Sequence, residues 1–167
     1  MMSTVAKQPG ASGTPATVAL SKAHITFTTH TYDHDPTAAS FGLEAADALG
    51  LPVEQVFKTL LADIDGKLVV GIVPVHRKLD LKALAASVGG KRAAMAEPAV
   101  AERSTGYVVG GISPIAQKRL LPTVVDDSAT AFPTVYVSGG RRGFDLGIAP
   151  TDLTSITNGI FAPIARD

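Results

Sequence analysis

The sequence predicts an α+β domain: a mixed β-sheet, curled toward a barrel, with short helices on its flanks. Two observations carry this. About seven short runs rich in β-branched residues are punctuated by turn signals, Asp65-Gly66 the strongest among them. Between them lie helical segments of only two or three turns, most with a capping residue in front and a glycine or asparagine behind. Neither a repeat nor an internal linker interrupts the pattern.

Residues 1–13 are rich in Gly, Ser, Ala, Gln and Pro, and are expected to be a disordered tail. The domain proper is expected at 14–167. Thr14-Pro15 is an N-cap followed by proline at the first helical position, opening a helix to about Ala23. Ile25 to Tyr32 alternates β-branched and polar residues as a strand does, and Asp33-His34-Asp35-Pro36 ends it as a loop. Ser40 caps a helix from Phe41 to Leu49, with Gly50 at its end and Pro52 beyond. Val56 to Ala62 runs into the Asp65-Gly66 hairpin, and Leu68 to Val75 returns as a buried strand. Leu79 to Val88 carries helical spacing and stops at Gly89-Gly90; after Arg92 comes a short apolar piece. Glu97-Pro98 starts a helical turn that reaches Arg103. Three strands follow, Pro122 to Asp126, Thr134 to Ser138 and Phe144 to Ile148, the last two joined by the loop Gly139 to Gly143. A helix near Thr151 to Thr157 ends at Asn158-Gly159, and Ile160 to Ile164 adds an edge strand.

Composition narrows the function classes. The chain has 167 residues, 46% hydrophobic and 18% charged, which suits one compact domain with a real core. No apolar run approaches the ~18 residues of a membrane span. The first residues lack a basic flank followed by an apolar block, so no secretory leader is expected and the cytoplasm is the expected compartment. With no cysteine there is no disulfide, thiolate ligand or cysteine nucleophile. Net charge is zero, but ten Lys/Arg against five Asp/Glu fall between His76 and Arg142. Such a basic segment suits a modest polyanion contact, such as one end of an RNA, as well as it suits a solvated surface.

The stretch Arg103 to Pro114 runs an apolar pair into Gly110-Gly111 and then to Pro114. Glycine permits positive φ and close approach of another molecule to the main chain. The stretch therefore reads either as a tight turn or as a rigid loop whose N–H groups cradle an anion or oxyanion. Ser113 is not placed as a hydrolase nucleophile: a G-x-S-x-G elbow takes a donor from the residue after the serine, and Pro114 has no N–H. His30 and His34 stand four apart, but one falls in a strand and the other in an acidic loop, and no metal or other cofactor is expected. Phosphate-loop and dinucleotide fingerprints are missing. Lys58 sits inside an apolar strand, where an unpaired ammonium is costly. It either reaches water at an edge or meets an anion in a cleft, and Asp145, similarly placed in the apolar strand Phe144 to Ile148, is a possible partner. Tyr32, Phe41 and Phe57 either wall a pocket or pack the core.

Taken in order, His30-Thr31-Tyr32-Asp33-His34-Asp35-Pro36, Phe57-Lys58-Thr59-Leu60, Arg103-Ser104-Thr105-Gly106-Tyr107, Gly110-Gly111-Ile112-Ser113-Pro114, Leu121-Pro122-Thr123, and Tyr136 to Gly140 with Arg142 to Asp145 resemble the YbaK family of aminoacyl-tRNA deacylases. These are relatives of the editing domain of bacterial prolyl-tRNA synthetase. The resemblance covers nearly everything after the tail.

It implies a curled mixed sheet with a cleft for the aminoacylated 3′ end of tRNA, and a trans-editing deacylase that removes cysteine from mischarged tRNA(Pro). Lys58, Gly110 and Asp145 match its catalytic positions. Tyr32, Phe41, Thr59, Arg103, Gly111, Ser113, Ser138 and Gly139 match substrate-binding or supporting ones. The implied partners are the acceptor end of Cys-tRNA(Pro) and, transiently, prolyl-tRNA synthetase, with neither DNA nor membrane. The implied mechanism uses the substrate's own thiol to attack the ester, which fits a chain with no protein nucleophile and places the burden on orientation and oxyanion stabilisation. Two rivals remain: a deacylase for Ala-tRNA(Pro) or Ser-tRNA, and a non-catalytic module that binds the tRNA end or the synthetase.

Overall fold

A computed structural model describes residues 13–167; the expected tail, apart from Gly13, lies outside the described residues. The elements run α1 (Pro15–Lys22), β1 (Thr28–Thr31), α2 (Phe41–Leu49), β2 (Phe57–Ile64), β3 (Lys67–Pro74), β4 (Lys78–Leu79), α3 (Leu81–Ser87), β5 (Ala93–Met95), α4 (Pro98–Thr105), β6 (Thr123–Asp126), β7 (Val135–Arg141), β8 (Phe144–Ile148), α5 (Pro150–Thr157), β9 (Ile160–Ala162) and β10 (Ala165–Arg166), with short 3-10 turns at Val53–Gln55 and Asp127–Ala131.

The fold is α+β, as expected. The strands form a mixed five-stranded sheet in the order β5-β2-β3-β6-β9, a three-stranded sheet β1-β8-β7 and a two-stranded pair β10-β4. In the large sheet β2 pairs antiparallel with β3 and β5, whereas β3–β6 and β6–β9 are parallel. Among the described residues the sheets do not close into a barrel; an isolated bridge from Val56, just before β2, to Tyr136 of β7 links the large sheet to the three-stranded one.

Side-chain alternation explains the layering. On β3, Val70 and Ile72 enter the main core with Phe57 and Leu61 of β2 and with Val137, Leu146 and Ile148 of the three-stranded sheet. Val69 and Val73 point the other way and pack with Leu79, Leu84 and Ile164. A strand buried on both faces reads as one apolar run, which is how Leu68 to Val75 reads. The β2–β3 turn has both Asp65 (φ 52) and Gly66 (φ 87) left-handed, as a two-residue hairpin requires.

Three boundaries shift for local reasons. The first strand forms only over Thr28–Thr31, where β8 is available to pair with it. The helix expected from Leu79 begins at Leu81, because Lys78–Leu79 pairs with β10 and Asp80 caps Ala83 N–H. Gly139 to Gly143 is not all loop: β7 continues through Arg141 with a bulge after Ser138, leaving Arg142-Gly143 as the turn. Among the described residues no helix is long and apolar enough to cross a membrane.

Candidate functional site

Where α2, the first half of β2, the start of α4 and the loop after it meet β7 and β8, they enclose a mostly apolar cavity of about 390 Å³. One edge of β2 supplies the wall. Its ladder to β3 covers Phe57 to Ile64, but on the other edge β5 pairs only with Ala62 to Ile64 and Leu61 O accepts the Ala96 N–H (3.0 Å), so Lys58 to Leu60 have no strand partner there among the described residues, and this part of the strand borders the cavity.

Lys58 and Thr59 stand in that wall, half-buried. Burial holds the Lys58 ammonium below the ordinary lysine value. The Thr59 Oγ1 is buried with no hydrogen-bond partner among the described residues, which costs roughly 1–3 kcal/mol unless a ligand or water supplies one. Asp145 enters from β8, 6% exposed, and burial pushes its carboxyl up to about 7. Of the alternatives open for Lys58, a pair with Asp145 does not form: no ion pair joins them within 4.0 Å. Ser138, across β7 from Asp145 in register, also lines the cavity, its Oγ accepting the Gly140 N–H.

The glycine loop is both a turn and a wall. Gly106 (φ 82) ends α4, Gly111 N–H donates to Val108 O (2.8 Å), and Val109 N–H donates to the Glu102 carboxylate (2.8 Å). Tyr107 O–H donates to Ile115 O (2.7 Å), closing the far side. Gly110 lines the cavity with φ 88, and no acceptor among the described residues takes its N–H. A Cβ there would lie 2.7 Å from the Phe41 ring, so glycine is required both for the backbone angle and for Phe41 to reach the loop.

Of the residues singled out by sequence, Lys58, Gly110, Asp145, Phe41, Thr59 and Ser138 line the cavity together. The other five do not line it. Tyr32 lies near enough to Asp145 that the carboxylate's charge, after burial, helps raise its phenol to about 12. Gly111 is buried against the backbone of Arg141 and Arg142, and Gly139 against the Phe144 ring. Ser113 is fully buried, with its Oγ accepting Ile115 N–H and its carbonyl held by Gln117, so the structure gives it a bracing place inside the loop. Arg103 is exposed on α4. Sequence reasoning passed over the apolar end of the cavity, Met95, Ala96, Pro98 and Ala101, because small and apolar residues carry no chemical signature. It also gave no role to Arg142, whose guanidinium lies 5.1 Å from the Phe41 ring centre.

The histidines are engaged separately. His30 Nε2 meets Thr28 Oγ1 and His34 Nδ1 meets Glu44. Among the described residues no group of three His, Asp or Glu side chains could hold a metal ion.

Comparison with known proteins places this geometry. An Enterococcus faecalis (strain ATCC 700802 / V583) protein, EbsC, described as a candidate Cys-tRNA(Pro)/Cys-tRNA(Cys) deacylase, is 39% identical over 121 residues, covering 71% of this chain and 73% of its own. The crystal structure of a candidate trans-editing enzyme for prolyl-tRNA synthetase superposes with a TM-score of 0.78 at 24% identity, over 97% of this chain and 100% of that one. The hypothetical protein APE2540 superposes with a TM-score of 0.82 at 23% identity, over 92% of this chain and 100% of that one. At such identities these two structures attest the fold. Residues 35–156, which hold every cavity-lining position named above, match the aminoacyl-tRNA editing domain family, and the chain belongs to that family.

Proposed function

We propose that the protein is a trans-editing deacylase that removes cysteine wrongly attached to tRNA(Pro). The observation that carries this reading is the convergence of Lys58, Gly110 and Asp145, from β2, the glycine loop and β8, on one small apolar cavity that contains no nucleophile–base pair. An aminoacyl ester is already activated, so positioning and charge stabilisation supply the acceleration. Lys58 takes the terminal phosphate or the ester region, and the free N–H of Gly110 takes the developing oxyanion. Asp145 accepts the α-ammonium, whose charge draws the carboxyl from its raised value toward ionisation. Thr59 supplies a further hydrogen bond to the substrate.

The cysteine thiol then attacks the ester carbon. A C–S bond forms as the thiol gives up its proton, the C–O bond to the terminal ribose breaks, and the ribose oxygen ends with that one proton as tRNA leaves. The cyclic thioester opens in water. The apolar end of the cavity at Ala96 and Pro98 holds the short side chain. Selectivity for tRNA(Pro) comes from a transient complex with prolyl-tRNA synthetase in the cytoplasm, because a net-neutral protein gathers few phosphate contacts of its own.

One assay tests the reading. Deacylation is followed on cysteinyl, alanyl and seryl esters of tRNA(Pro), and on cysteinyl-tRNA(Cys), with and without the synthetase. Rapid loss of cysteine from tRNA(Pro) is expected. Equal turnover of the alanyl ester, which has no thiol, overturns the thiol-assisted step; no turnover of any ester overturns the enzyme.

A further inference from the structure

Phe41 is the one aromatic ring of the cavity wall that packs on Gly110, and its own supports lie outside the cavity. The His34 imidazole stacks on it, with ring centres 5.6 Å apart and planes 29° from parallel. Glu44, one turn further along α2, fixes that imidazole: its Oε1 lies 2.9 Å from His34 Nδ1, while Oε2 accepts the Asp35 N–H. From the hairpin between β7 and β8, the Arg142 guanidinium sits 5.1 Å from the Phe41 ring centre. Its Nε–H donates to Val109 O (2.9 Å), in the residue just before Gly110. Two flat polar groups, each tied by a hydrogen bond of its own, thus bear on one ring. Without them, a phenylalanine in the first turn of α2 would be free to change rotamer, and a shift of that ring widens or narrows the space beside Gly110.

We propose that His34, Glu44 and Arg142 are positioning residues that set, through Phe41, the size of aminoacyl group the cavity admits. The inference rests on the deacylase reading for its chemistry and adds how that site excludes larger groups. One extra carbon or two in an apolar pocket changes discrimination by roughly 10–200-fold when the wall cannot yield. A clamped Phe41 is a wall that does not yield.

The test compares kcat/KM for cysteinyl and homocysteinyl esters on one tRNA(Pro); both carry a thiol, and the second is one carbon longer. In His34→Ala and in Arg142→Ala the homocysteinyl ester is expected to gain about tenfold relative to the cysteinyl ester. His34→Phe, which keeps a flat ring on Phe41, is expected to retain the wild-type ratio. In a Phe41→Ala background His34→Ala is expected to add nothing. An unchanged ratio in His34→Ala, failure of His34→Phe to restore it, or an equal effect of His34→Ala with and without Phe41 overturns the clamp. The order of the Phe41 ring, read by NMR relaxation of labelled phenylalanine, is a second measurement that needs no substrate. It is expected to drop in His34→Ala, and an unchanged ring overturns the proposal. Absence of any deacylation by the wild-type protein overturns the deacylase reading instead, and the ring measurement still decides the clamp.

Discussion

Lys58 and Asp145 line the same cavity from two different sheets, and they do not neutralise one another. Burial weakens the charge of each: the ammonium is held below its usual value and the carboxyl is pushed up to about 7. In a cavity built for stability the two would have met or been replaced by apolar groups, since an unpaired desolvated charge is costly. Held apart, they leave room for a dipolar ligand between them.

Lys58→Met is therefore expected to separate activity from stability. Deacylation should fall by about 100-fold or more, the scale of losing a stabilising charge in a dry site. The thermal midpoint should stay unchanged or rise, because a desolvated ammonium has been exchanged for an apolar stem of similar length. A melting curve and a single-turnover assay on the same preparation decide it. Retained turnover removes Lys58 from the mechanism.

Asp145 makes a pH prediction with a definite sign. Its folded value lies near 7 and its ordinary value near 3.8, so over that interval the folded state holds more protons than the unfolded state. Its contribution to stability is fully present below about 3.8 and is lost as pH rises toward 7, on the order of 1–4 kcal/mol. Asp145→Asn should remove that slope: urea melts from pH 4.5 to 8 should show wild type losing ground relative to the variant as pH rises. Parallel curves for the two proteins would show that the carboxyl is not held neutral by burial.

Gly110 and Gly111 are adjacent but should fail differently on substitution by alanine. At Gly110 the new Cβ meets the Phe41 ring at 2.7 Å with φ at 88, so the ring is displaced and the backbone strained by roughly 1–3 kcal/mol. Activity should be lost while the fold survives. At Gly111 the new Cβ meets the Arg141 backbone at 2.7 Å, where nothing can rotate away, and the loop must part from the β7–β8 hairpin. Gly111→Ala should accordingly show the larger fall in thermal midpoint of the two. The reverse order would mean that the loop does not depend on this approach.

Much of this arrangement was legible in the sequence where a local rule decided it. The Ser40 cap and the left-handed Gly50 bound α2, and the Asp65-Gly66 pair sets the β2–β3 hairpin, because each depends on a few neighbouring residues. Lys58 was conspicuous because a lysine in an apolar strand needs a reason. What could not be read was which distant segments meet. The absence of a Lys58–Asp145 pair depends on the separation of two sheets, and the bulge after Ser138 depends on Gly139 packing under Phe144. The contact of Arg142 with Phe41 joins residues about a hundred positions apart, and nothing in the sequence marks that His34, seven residues before Phe41, stacks on the same ring.

Thr59 offers the most economical test of whether the cavity is a substrate site. Its hydroxyl is buried and has no hydrogen-bond partner among the described residues, so in the free protein it costs stability. Thr59→Val keeps the shape and removes the oxygen. If the hydroxyl serves only packing, the variant should gain about 1 kcal/mol and keep its activity. If it bonds the aminoacyl ester, the same gain in stability should accompany a fall of about tenfold in kcat/KM, worth about 1.4 kcal/mol, because the substrate then loses its partner. The second result is expected. The two measurements together distinguish a defect of the core from a group held in waiting for a ligand.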